Sequence, residues 1–223
     1  MKNTKYLTKI AFLIITILLP VVVLLTTLQI YAYNKDFYLK EYKKHNISDA
    51  TKISMEDLEK ITVKLIDYLK DKEETLDIQV PINNDMEEVF GEREKHHMID
   101  VKDLFQKGGI IRNTSLILCG AAMVLLMFKS RKALFKSFIA AGSASVVFVL
   151  LLFLLIQIDF YKYFTHFHEI FFTNDLWLLN PETDILIQML PLEFFTNISV
   201  AVIGTFLAVM ISMGGLSFYG AKK

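Results

Sequence analysis

Apolar residues along this chain fall in four long blocks separated by polar, charged stretches. Ile10 to Ile30 is free of charge, and Thr114 to Phe128, Phe138 to Ile158 and Phe194 to Tyr219 follow the same pattern. About 20 apolar residues are needed to cross roughly 30 Å of hydrocarbon. Three blocks reach that length. The second reaches it when Gly108 to Asn113 is included, which places Arg112 near an interface, where its stem can snorkel. The expected fold is an all-α membrane core of four transmembrane helices carrying a small mixed α/β cap. The expected segments are an N-terminus over 1–9, spans over 10–30, 109–128, 138–158 and 194–219, a cap over 31–108, a short loop over 129–137, an interfacial loop over 159–193 and a C-terminus over 220–223.

Finer patterning fills in the polar segments. Ser54-Met55-Glu56-Asp57 has the form of a helix start, with Ser54 as cap and acidic residues in the first turn. Leu58, Ile61, Leu65, Tyr68 and Leu69 then recur at helical spacing, to an end near Lys70. Leu76, Ile78 and Val80 alternate with polar residues, which predicts a short strand stopped by Pro81. A turn is expected at Asn83-Asn84-Asp85. Tyr31, Tyr33, Phe37 and Tyr38 suit a headgroup layer, as do the many aromatics of 159–195. One amphipathic helix and a few strand residues offer the cap only a small core of its own.

Composition agrees with a membrane chain: 53% of residues are hydrophobic and the mean hydropathy is +0.41. The first block exceeds the roughly 7–15 residues of a cleaved signal and is read as a retained anchor. Formal net charge is zero, but its distribution is informative. Lys2, Lys5 and Lys9 precede the first span. Lys129, Arg131, Lys132 and Lys136 separate the second from the third, and Lys222 and Lys223 follow the fourth. With four spans all three clusters share one side, which the positive-inside rule makes cytoplasmic. The segments 31–108 and 159–193 are then extracytoplasmic. Cys119, the lone cysteine, lies within a span, so an intramolecular disulfide is excluded. Short juxtamembrane basic clusters fit topology and give no nucleic-acid signature.

Four of the five histidines fall in two short stretches: His96 and His97 in Glu92 to Val101, and His166 and His168 in Phe164 to Phe172. Both stretches lie close to the outer ends of spans, so topology can bring them into one pocket at the interface. Imidazole exchanges protons near neutral pH. Glu92, Glu94 and Asp100 flank His97, and Glu169 and Asp175 flank His168. A carboxylate on the far ring nitrogen would fix the tautomer, as in hydrolase triads. Three readings stay open on these residues alone: an interfacial enzyme using histidine as base, a non-catalytic envelope scaffold or sensor, and a metal-dependent membrane hydrolase. The spacing matches no common zinc pattern, so no metal and no cofactor are expected. No Gly-x-Ser-x-Gly elbow occurs. Among the remaining candidates, Arg93 fits a structural ion pair better than a headgroup site. Trp177 fits an interface anchor, and Asp184 fits a helix cap.

These motifs have a recognisable order. Arg93-Glu94-Lys95-His96-His97-Met98-Ile99-Asp100-Val101 resembles the Arg-Glu-x-x-His-Met-x-Asp-Val motif of a bacterial membrane family. Phe167 to Phe172 with Asp175 and Trp177 resembles its second motif, and Asp184 to Ile187 with Pro191, Phe194 and Phe195 its third. Asp67-Tyr68-Leu69 fits as well. The family is the lipoprotein intramolecular transacylases of Gram-positive bacteria. The resemblance implies movement of the sn-2 acyl chain of a diacylglyceryl-modified N-terminal cysteine to that cysteine's α-amino group, giving a lyso-form lipoprotein. It makes His97 and His168 the expected catalytic residues. Arg93, Glu94, Asp100, Asp175, Trp177 and Asp184 are expected to support the site or bind substrate, with His96 and His166 secondary. The expected partners are the lipoprotein substrate and membrane lipids.

Overall fold

The structure is a computed structural model describing residues 2–82, 85–156 and 159–220. Its elements in order are α1 (Lys2–Ala32), α2 (Lys35–Lys44), α3 (Ile47–Thr51), α4 (Met55–Leu69), β1 (Gln79–Ile82), β2 (Asp85–Glu88), α5 (Glu92–Lys129), α6 (Arg131–Ile156), α7 (Phe160–Phe171), α8 (Ile185–Met189) and α9 (Leu192–Gly220). The turn expected at Asn83-Asn84 lies outside the described residues, as do Lys222 and Lys223.

The chain divides into two compact units: Met1–Gln29 with Gly108–Asp159 and Val200–Lys223, and Ile30–Lys107 with Phe160–Ser199. In the first unit run the apolar lengths of α1, α5, α6 and α9, each long and apolar enough to cross a membrane. The protein is a multi-pass membrane protein. The unit's centre is Ala11, Ile15, Leu126, Ala141, Phe206 and Met210 with their neighbours. Ile17, Ile117, Phe148 and Val200 face outward, as side chains solvated by lipid do. Gly142 permits one close crossing: a Cβ there would stand 2.9 Å from the Met210 carbonyl oxygen. Arg112 does not simply snorkel. It hydrogen-bonds the side chains of Asn113 and Gln29, because amide oxygens lie within reach.

The second unit has a real core. Tyr42, Ile53, Leu58, Ile61, Leu65, Val89 and Phe90 are almost fully buried. Leu186, Met189 and Phe194 join the same cluster from the far end of the sequence. The small core expected from 31–108 alone is thus corrected, since the later segment contributes to it. Tyr38, expected in a headgroup layer, is also part of this core and donates to the Ala32 carbonyl. Ser54 caps α4 by accepting from the Asp57 amide, and the helix ends at Lys70, both as read from the sequence. The strand starts later than its alternation suggests and contains Pro81, opposite Met86 in a two-stranded antiparallel hairpin. Such an edge tolerates proline, because its missing N–H can face away from the partner strand. The aromatic segment after 159 is less loop than helix. Phe160, Phe164, His168 and Phe171 recur at helical spacing, and α7 forms there.

Candidate active site

All of the site lies within the second unit. Its base is the polar first part of α5, ahead of that helix's apolar stretch. Gly91 stands just before the helix, and Glu94, in its first turn, accepts the Gly91 amide through Oε2 at 2.6 Å. That is the returning half of a capping box. The other oxygen, Oε1, accepts the Leu186 amide at 2.6 Å, so one buried carboxylate anchors the starts of both α5 and α8. Burial pushes its pKa up, against the pull of the two amides.

Arg93, Glu94, His97 and Asp100 share one face of α5 by helical spacing. Arg93 donates through Nε to the Leu178 carbonyl at 3.2 Å and through Nη2 to the Asp175 carbonyl. The same nitrogen stands 3.4 Å from the Asp175 carboxylate. Asp100 accepts the Asn174 side-chain amide at 2.8 Å. Asn174 in turn holds Trp177, whose Nε1 donates to the Asn174 carbonyl at 3.0 Å. The face of α5 therefore fixes the loop 174–178, which carries Trp177 to the histidines.

His97 and His168 meet there with ring centroids 6.0 Å apart. His168 comes from α7. Its Nδ1 lies 2.8 Å from the Phe164 carbonyl oxygen, one turn earlier, and must donate to it. In the neutral ring this leaves Nε2 as the acceptor. Trp177 stacks on His168 at 4.9 Å and 27°, and Phe164 meets it edge-on at 4.5 Å. Phe172 meets the His97 ring edge-on at 5.3 Å. Both imidazoles are buried. Among the described residues, His97 Nδ1 is the only buried side-chain nitrogen or oxygen atom without a hydrogen-bond partner. Burial, helped by the nearby His168 ring and opposed by Asp100, pushes the His97 pKa down to about 4. Burial also lowers that of His168, against the Phe164 carbonyl. Both shifts favour the uncharged ring at neutral pH and make each imidazole a weaker base than one in water.

Several expectations change on this geometry. Among the described residues no carboxylate hydrogen-bonds either ring: Glu94 is engaged by two amides, Asp175 by Arg93, and Glu169 by His166 at 2.8 Å. A backbone carbonyl does the orienting of His168 instead. Asp184 stands at the N-cap position of α8 but does not cap it. Its oxygens accept the Asn180 amide and the Thr183 hydroxyl, while Glu94 satisfies the helix start. Trp177 is packed on a histidine rather than serving only as an anchor. His96 is exposed on α5, and His166 is an exposed partner of Glu169. Neither shows contact with the buried pair among the described residues. No group of three or more His, Cys, Asp or Glu side chains converges on a metal position among those residues. Sequence reading missed Phe164, Phe172 and Asn174. The spacing of Phe164, His168 and Phe172 by four was the available signal for the first two. Asn174 gave none.

Comparison with known proteins supports one lineage. The family model described as "Lipoprotein intramolecular transacylase Lit" matches residues 13–195. A solved structure of the integral membrane lipoprotein intramolecular transacylase of Bacillus cereus superposes with a TM-score of 0.85. It is 23% identical, over 98% of this chain and 97% of that one. A variant of that protein with a histidine replaced by alanine superposes at 0.82, with 22% identity over 99% and 96%. No curated protein sequence matches. The family match spans most of the chain, and the chain belongs to the lipoprotein intramolecular transacylase family of membrane acyltransferases.

Proposed function

We propose that the intramolecular acyl transfer of this family is carried out here by the His97–His168 pair. The substrate is a lipoprotein whose N-terminal cysteine carries a diacylglyceryl thioether and a free α-amino group. The sn-2 acyl chain passes from its glycerol oxygen to that nitrogen. Nucleophile and electrophile belong to one molecule, so the protein supplies position, proton transfer and charge support rather than a nucleophile of its own. Fixing the amine against the ester is worth several kcal/mol.

The α-ammonium group, with an ordinary pKa near 8, first gives a proton to Nε2 of His168. The freed amine attacks the ester carbonyl and yields its second proton to His97. The oxyanion forms beside the His168 imidazolium, which protonates the departing glycerol oxygen as the C–O bond breaks. His97 then releases its proton to water. Burial that disfavours the charged rings leaves their lone pairs unprotonated at the start and makes the His168 imidazolium a stronger acid towards the glycerol oxygen, and the Phe164 carbonyl on Nδ1 makes Nε2 the accepting atom of His168. Arg93, Glu94 and Asp100 act as positioning residues through Asp175, Leu186 and Asn174. The pair faces the extracytoplasmic side, with both termini cytoplasmic, a reading that rests on the three basic clusters.

The observation that carries this reading is the meeting of two buried imidazoles from α5 and α7. Mass spectrometry of the N-terminal peptide of a co-expressed lipoprotein tests it. The expected product has one acyl on glycerol and one as an amide. His97→Ala is expected to slow its formation by about 10²–10⁴. A diacylglyceryl peptide with a free amine, unchanged by the wild-type protein, refutes the function, and full activity of His97→Ala refutes the role.

A further inference from the structure

The zero net charge of the chain conceals a separation. The membrane unit holds ten lysines and arginines and one carboxylate, Asp159, whereas the other unit holds fourteen against twenty-three. In the membrane unit Lys5, Lys9, Arg131, Lys132 and Lys136 are exposed. None has an ion-pair partner among the described residues. Orientation in a membrane accounts for positive charge at one end of a span. It does not account for a groove. Thr8, Lys9, Phe12 and Leu13 of α1 and Ala133 of α6 line an open groove of about 300 Å³. Arg131 and Lys132 directly precede Ala133, and Ala133 packs with the cluster of Ala11 and Ile15, which joins α1 to α6.

We propose that this groove is a binding site for one anionic phospholipid. Lys9, the cation that lines the groove, meets the phosphate, Arg131 and Lys132 add positive charge next to Ala133 in the chain, and Phe12, Leu13 and Ala133 hold the first part of an acyl chain. A negative headgroup is the partner these unpaired cations lack, and basic pockets between membrane helices take such lipids. At about 300 Å³ the groove is small among ligand pockets. Its lining is mainly apolar, so it takes the upper chain, with the head at the Lys9 edge and the rest of the lipid in the bilayer. This lipid is distinct from the substrate, and the inference does not depend on the acyl-transfer reading.

Native mass spectrometry of the full-length protein tests it. The purified protein is offered equal amounts of phosphatidylglycerol and phosphatidylcholine with identical chains. One retained phosphatidylglycerol is expected, in excess over phosphatidylcholine. Lys9→Gln is expected to reduce that excess roughly fivefold. Ala133→Phe fills the groove, keeps every charge that sets orientation, and is expected to abolish the excess. Equal retention of the two lipids by the wild-type protein overturns the proposal. So does an excess that survives Ala133→Phe and disappears only with the charges, which marks diffuse attraction rather than a site.

Discussion

At the scale of single residues, Glu94 shows how the site is held. It has two oxygens and two amide donors, from segments 92 residues apart at the Leu186 contact. Glu94→Ala leaves two backbone N–H groups without their acceptor, at about 1–3 kcal/mol for each that stays buried. Glu94→Gln keeps one acceptor oxygen and presents a donor to the second amide, so its effect is smaller but not nil. Thermal melting of the purified variants is expected to rank wild type above Gln above Ala. The histidines set a pH dependence of definite sign. Burial depresses both pKa values, so the unfolded chain takes up protons before the folded one does. Stability is therefore full above the ordinary imidazole pKa of about 6.5 and falls as pH drops towards about 4. Melting curves at pH 7 and pH 5 are expected to differ by on the order of 1–2 kcal/mol at the His97 site. His97→Gln is expected to flatten that slope. A slope unchanged in this variant counts against the buried neutral ring.

At the scale of elements, periodicity was a good guide where one face of a helix is buried. Ser54 and the stripe from Leu58 to Leu69 were legible because their partners are local. The hairpin was half legible, since a proline is tolerated at an edge that only the fold defines. Helix α7 was hidden by its aromatic content, which suits an interface loop as well as it suits a helix. The Asp100–Asn174 hydrogen bond was not legible at all, because a contact across 74 positions leaves no periodic trace. Helix α6 carries its own prediction. A methyl group at Gly142 meets the Met210 carbonyl oxygen, whereas one at Gly120 meets nothing within 4 Å. Gly142→Ala is expected to cost about 1–3 kcal/mol of stability by overpacking. Gly120→Ala is expected to be neutral or slightly stabilising. Equal melting temperatures for the two variants refute the close crossing.

At the scale of the whole molecule, four apolar blocks gave the membrane character directly, because hydrocarbon thickness fixes the length that can cross it. The residue types of the site were legible through motif order. So was the meeting of the two histidine stretches, since both lie close to the outer ends of spans. The groups that hold each ring were not, because the Phe164 carbonyl depends on helix α7, and Trp177 and Phe172 are brought there by tertiary packing. Orientation is open to a chemical test. Cys119→Ala removes the lone thiol, and Glu74→Cys or Lys132→Cys then places one at an exposed position in either unit. A membrane-impermeant maleimide is expected to label the first in intact cells and the second only after lysis. The reverse pattern inverts the topology and, with it, the side on which the chemistry occurs.

Trp177 is the chain's sole tryptophan, and its indole lies flat against His168. An imidazolium quenches indole emission by accepting an electron from the excited ring, whereas the neutral ring quenches far less. The protein thus contains its own optical probe, with no competing fluorophore of the same kind. Brightness during an acid titration is expected to track the charge of His168, and, on the proposed function, adding lipopeptide is expected to change the emission before any bond is exchanged.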